Sequence, residues 1–153
     1  MAGRTRPGFV IFACIRRPGR PATSRPTAFP PLMSDDLKQE FDAARIKHML
    51  FKSKLRSALF GSQTAEGPIR DPQQCAFGHW LTQRVLTDFG HLPESRELDR
   101  LHNQIHREAS RLLDMHHAGQ QDAAIGELAE INRLADHITR LLRTIEESIR
   151  GGR

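Results

Sequence analysis

The stretch LKQEFDAARIKHMLFKSKLRSA, residues 37–58, decides the fold. Its apolar and small residues recur as Leu37, Phe41, Ala44, Phe51, Leu55 and Ala58, and His48 falls in the same series. The steps alternate four and three, which places all of them on one face of an α-helix and makes that face a bundle seam. His48 is therefore expected to point inward. Lys47, Lys52, Lys54 and Arg56 fall mostly outside the stripe. Ser34 and Asp35 supply a cap at one end and Gly61 a stop at the other, so the helix is expected to run to about Phe60.

Downstream, residues 61–70 read as a polar loop with Gly61, Gly67 and Pro68. Asp71-Pro72-Gln73-Gln74 has an N-cap acid, a first-turn proline and a third-position glutamine, which starts a short helix reaching about Leu86. Gly90 and Pro93 break the chain. Pro93-Glu94 opens a third helix with the stripe Leu98, Leu101/His102, Ile105, Ala109, Leu112 and His116, ended by Gly119. The fourth is expected from about Asp122 to Ile149, with Leu128, Ile131, Ala135, Ile138, Leu142, Ile145 and Ile149 as its seam. No internal repeat is visible. These signals predict an all-α protein, an antiparallel four-helix bundle with a short extra or interrupted helix carrying Cys75. A hydrophobic content of 38%, an aromatic content of 6% and the absence of Tyr agree with a small helical domain.

The short helix carries Cys75-Ala76-Phe77-Gly78-His79-Trp80, which includes the single Trp. Gly78 between large aromatics reads as a close-packing point. Cys75 has no C-x-x-C partner, and a lone buried Cys is by default a small hydrophobe. The third helix changes that reading. His102 and His106 are four apart and share a face, where two imidazoles reach one ion. With His48 they make three inward histidines and one thiol, which is a complete tetrahedral donor set for zinc and too soft for magnesium or calcium. Taken singly, each histidine would be read as a core residue hydrogen-bonded to a neighbour. Together they would leave several buried polar groups in search of partners. The candidate ligands are therefore His48, Cys75, His102 and His106.

Other metal readings fail on detail. Asn103 stands where the H-E-x-x-H metalloprotease motif needs its glutamate, and no Glu-x-x-His of a di-iron bundle occurs. His79 and His91 flank the short helix and are expected to be exposed. His116 and His117 lie near a helix end, and His137 lies off the fourth seam.

Charge separates the chain into two parts. Residues 1–32 hold Arg4, Arg6, Arg16, Arg17, Arg20 and Arg25 without an acid, and six of the nine Pro. The chain as a whole carries +5, so residues 33–153 carry −1. A near-neutral globular part removes the main support for nucleic-acid binding. The apolar run Gly8–Ile15 loosely imitates a secretory signal, but Arg16 and Arg17 end it without a cleavage site. Residues 1–32 are expected to be a disordered basic tail, with Met33 the natural start and 33–153 the domain. Cys75 is then the one relevant thiol, which excludes an internal disulfide and suits a reducing cytoplasm. No apolar run approaches the length of a membrane span.

From Phe41 to Ile149 the chain resembles the chemoreceptor zinc-binding (CZB) domains of bacteria. The likeness rests on the inward His48, on Cys-x-Phe-Gly-x-Trp (Cys75, Phe77, Gly78, Trp80) and on His-x-x-x-His (His102, His106). His48 to Cys75 and Cys75 to His102 are both 27 positions. The resemblance implies a four-helix bundle that binds zinc through three His and one Cys and is often dimeric. Such domains are usually fused to chemoreceptors or diguanylate cyclases, which they control in response to zinc or hypochlorous acid. The sequence shows no methyl-accepting or GGDEF segment, so a signalling partner is expected in trans. The expected function is that of a cytoplasmic zinc sensor or regulator, not an enzyme, that responds to zinc availability or to oxidation of the zinc-bound Cys75. The competing readings are a purely structural zinc in a helical interaction module, a zinc hydrolase with an open position, and a metal-free helical module.

Overall fold

The computed structural model describes residues 34–151, and the expectations for residues 1–32 lie outside that range. Helix α1 spans Ser34–Leu59, α5 Pro93–His117 and α7 Leu128–Gly151. Between α1 and α5 lie a short α2, Gly67–Arg70, and the broken fourth arm of the bundle. That arm consists of a 3₁₀ turn at Pro72–Gln74, α3 at Ala76–Trp80, π turns at Leu81–Leu86 and α4 at Thr87–Phe89. Helix α6, Gln121–Gly126, precedes α7.

Contacts between the arms give their directions. Phe41 meets Trp80 edge-on at 5.2 Å and His48 meets Phe77 at 5.5 Å, so rising numbers on α1 face falling numbers on the broken arm. Arg45 pairs with Glu146 while His48 reaches Ala135, so α1 and α7 are also antiparallel. Arg111 near the end of α5 pairs with Glu127 just before α7. The result is the up-and-down four-helix bundle with an interrupted Cys-bearing arm that the sequence predicts.

All seven positions of the 37–58 stripe are buried, His48 among them. Gly61 and Gly119 follow α1 and α5 with φ of +86° and +79°, the left-handed stop that glycine adopts without strain. Three boundaries differ from expectation. The loop 61–70 contains α2, because Ile69 is apolar and fully buried and anchors that turn on the core. The helix expected from Asp71 starts instead at Ala76. Asp71 does cap, accepting from Gln73 N at 2.8 Å, but what it caps is the 3₁₀ turn, and Cys75 then turns extended at φ −80°, ψ 125°. The fourth helix is split at Glu127, where α6 ends before the seam begins. Among the described residues no helix is long and apolar enough to cross a membrane.

Candidate metal centre

Cys75 sits at the joint between the 3₁₀ turn and α3. Its N–H donates to Pro72 O at 3.4 Å and its carbonyl accepts from His79 N at 2.9 Å, which fixes the backbone that aims the thiol inward. His102 and His106 lie one turn apart on the buried face of α5. The donor atoms of Cys75, His102 and His106 all lie within 4.8 Å of one another, and all three residues are buried.

The two imidazoles are arranged asymmetrically. His106 Nδ1–H donates to the carbonyl of Ile69 at 2.7 Å, which leaves Nε2 as its lone-pair nitrogen. That Nε2 stands 3.0 Å from His102 Nε2. One proton bridges the pair, donated by His102, in the place where a shared cation would be held. A tetrahedral zinc with Zn–N bonds of ~2.0–2.1 Å separates two nitrogen donors by ~3.3 Å, so the pair is close to ligand spacing. A carbonyl partner on the far nitrogen of a ligating histidine is the usual orienting device at metal sites. Two imidazoles and a thiol also match zinc in softness.

His48 belongs to the same core but lies outside this trio. Its Nε2–H donates to Ala135 O at 3.3 Å, so its lone pair is on Nδ1. Its ring packs against Phe77 at 5.5 Å and Phe51 at 6.5 Å, while Phe77 also touches His102 and Phe51 touches His106. The other histidines lie apart from the centre: His79 and His91 are exposed, as expected, and His117 bonds Glu66 at 2.7 Å.

Gly78 explains itself at this site. A Cβ there would stand 2.4 Å from Pro72 O and 2.6 Å from His102 Cε1. Trp80 fixes the far end of α3, donating from Nε1 to Glu40 at 2.9 Å, and Arg84 shares that carboxylate. Sequence reasoning did not find Ile69, Glu40 or Ala135 as supports of the site. A lone Ile between Pro68 and Arg70 in a polar loop was the available signal for the first. Nothing in the sequence marks a backbone carbonyl such as that of Ala135.

Burial holds all three histidines neutral. His48 is lowered to about 4 and His102 to about 3, in each case chiefly by loss of water, and His106 is lowered by the same cause. Unfolded histidine titrates near 6.5. Between that value and about 4 the unfolded chain binds protons that the folded chain refuses, so stability is full above pH 6.5 and falls as pH drops. Each such histidine contributes a slope of ~1.4 kcal/mol per pH unit. Metal-free protein should show a flat melting temperature above pH 7 and a steady decline from 6.5 toward 4, less steep in His102→Gln. A flat profile across that range contradicts the account.

One buried Cys and two buried His of ligating types, set in an all-α bundle, make a candidate metal centre of a helical domain. Residues 48–113 match the family model described as chemoreceptor zinc-binding domain, CZB. The match begins at His48 and contains Cys75, His102 and His106. The matched family is a zinc-binding one, and Cys75, His102 and His106 group as possible ligands of donor types that suit zinc. Neither comparison with curated proteins nor comparison with solved structures gives a match.

Proposed function

We propose that this protein is a zinc-responsive regulatory domain in which His48, Cys75, His102 and His106 hold one ion. The observation that carries the reading is the convergence of Cys75, His102 and His106 in a dry core, with His106 already oriented by Ile69. His48 is the fourth donor by its burial in the same aromatic cluster and its free Nδ1 lone pair. Four protein donors close the coordination sphere, which makes the domain a sensor or regulator and not an enzyme. When bound, zinc supplies cross-linking of helices far apart in sequence and keeps Cys75 as its thiolate.

The thiolate is the species oxidants attack. Hypochlorous acid oxidises it to a sulfenic acid while chloride leaves, and the soft donor is lost. The arm that starts at Pro72 then loses its tie to α5, and a partner reads that change. The domain works in the cytoplasm as a homodimer and acts in trans on a signalling protein such as a chemoreceptor or diguanylate cyclase. It has no nucleic-acid or membrane partner.

Elemental analysis of purified protein tests the core of this reading and should return one zinc per chain. Absence of zinc sinks it. His48→Ala should lower affinity but leave residual binding by the trio, whereas full retention removes His48 from the set. Exposure to hypochlorous acid should release zinc to a chromogenic chelator, with the Cys75 peptide oxidised, and peroxide at the same dose should act far more slowly. Zinc held too tightly to be lost under either condition assigns it a purely structural role.

A further inference from the structure

The stretch that carries Cys75 is gripped on both sides by charged side chains outside the donor set. On one side Arg70 donates to Glu66 at 2.8 Å and to Asp114 of α5 at 2.7 Å, and its carbonyl accepts from Ser110 Oγ at 3.4 Å. Ile69 beside it is fully buried. On the other side one carboxylate of α1 does the holding. Glu40 accepts from Trp80 Nε1 at 2.9 Å and from Arg84 Nε at 3.0 and 3.2 Å. Phe41, the next residue of α1, packs edge-on against the same indole. Arg84 also pairs with Asp88 and lies 5.3 Å over the Phe89 ring. Hydrogen bonds to an ionised carboxylate are the stronger kind, and these run from the last residue of α3 into the π turns, a conformation that rarely holds by itself. Between the two grips the chain has little hold on the core: of residues 71–79 only Cys75, Phe77 and Gly78 are buried, and Gln73, Gln74, Ala76 and His79 are exposed.

We propose that Glu40 is a positioning residue for the zinc response: it keeps the rear of the broken arm on α1 when zinc leaves, so that only residues 71–79 open. The inference rests on the zinc reading above and adds to it which part of the arm moves. With zinc bound, Cys75 ties the middle of that stretch to the histidines. Without zinc, Phe77 is the one large side chain left to hold it between the two grips. A segment tethered at both ends opens as a short flap and stays near the histidines, which keeps the thiol at high effective concentration for rebinding. Among the described residues no other hydrogen bond joins Trp80 or Arg84 to α1. Remove the carboxylate, and the opening runs on through the π turns toward Gly90. Each binding event must then reorder the rear of the arm as well as the flap, at an entropic cost for every added residue.

The test uses the full chain, zinc-loaded and chelator-treated, with hydrogen exchange read by mass spectrometry alongside the emission of Trp80, the single Trp. In the wild type, removing zinc should speed exchange over residues 71–79 by about 100-fold or more, while residues 81–89 keep their protection and the indole its emission. Zinc-loaded Glu40→Ala should stay close to the wild type over both segments. Without zinc, its fast exchange should extend through Phe89 and its emission should shift to the red. Glu40→Gln keeps an acceptor for Trp80 but loses the charge that holds Arg84, and should fall between the two. Zinc should rebind to chelated Glu40→Ala about tenfold more slowly than to the wild type. Glu130→Gln, which removes an exposed pair with Arg133 on α7, should change none of these readouts. Protection lost through Phe89 in the chelated wild type, or kept there in chelated Glu40→Ala, overturns the proposal. So does a Glu40→Ala whose residues 81–89 exchange equally fast with and without zinc, the mark of a residue that only supports the fold. A wild type that holds no zinc overturns the zinc reading and this inference together. One zinc per chain with the opening unconfined overturns this inference alone.

Discussion

Cys75→Ala is expected to reduce zinc from one equivalent to near zero after dialysis against a mild chelator, and to erase the stabilisation that zinc gives the wild type. Cys75 is the sole donor on the broken arm, while His102 and His106 share one helix. Without the thiolate, an ion held by α5, with His48 of α1 as the proposed further donor, no longer ties those helices to the segment before α3. Structural zinc sites in small zinc-finger peptides supply on the order of 10 kcal/mol. Losing a thiolate donor should weaken affinity by at least ~1,000-fold, which removes ~4 kcal/mol of ligand-linked stability at fixed free zinc. Thermal melts with and without chelator check this directly. In the wild type the two curves should be far apart, and in Cys75→Ala they should coincide. The substitution leaves a small apolar side chain in a buried site, so the chelator-treated proteins should differ little. A variant that keeps its zinc, or keeps a gap between the two melts, removes Cys75 from the ligand set.

Gly78→Ala is the second large effect, and it is unusual for adding a single methyl group. The new Cβ would meet Pro72 O at 2.4 Å and the His102 ring at 2.6 Å. Neither neighbour can yield easily. Pro72 O is backbone and accepts the Cys75 N–H, and His102 is packed against Phe77. Relief must come from moving α3 away from α5, which separates Cys75 from His102. Overpacking of this kind costs ~1–3 kcal/mol, or roughly 2–12 °C in melting temperature for a chain of this length. Zinc affinity should fall with it by ~10-fold or more, because the displaced parts are donors. Gly126→Ala serves as the control, since a Cβ there meets nothing within 4 Å. Equal behaviour of the two variants would refute the account.

What was legible in the sequence was what repeats. The four-three alternation from Leu37 to Ala58 placed every buried residue of that stripe. The seam expected from Leu128 to Ile149 placed Ile131, Ala135, Ile138, Leu142 and Ile145 in the core of α7, but it missed the fully buried Leu134, and its two end residues are only partly buried. His102 and His106 were legible because their spacing is itself helical. Cys75 was found by composition, as one thiol in an aromatic box, but its extended backbone was not. Helical periodicity carries no information across a joint where 3₁₀, α and π turns succeed one another within a few residues. Short α2 escaped for a related reason: four residues hold less than two turns, and only the tertiary burial of Ile69 makes them helical. The bond from His48 to Ala135 joins residues 87 apart through a backbone carbonyl, which every residue carries alike.

That same bond bears on how the chain matures as it leaves the ribosome. Cys75, His102 and His106 have all emerged by the time α5 is made, and α7, with Ala135, follows last. Until α7 arrives, His48 Nε2–H has no carbonyl to hold the ring, so the Nδ1 proposed as the fourth donor is not yet oriented. Zinc present during synthesis therefore meets a site whose fourth donor is still unaimed, whereas zinc supplied after release meets one already set. Metal captured early and metal added late should load at different speeds into the same final site.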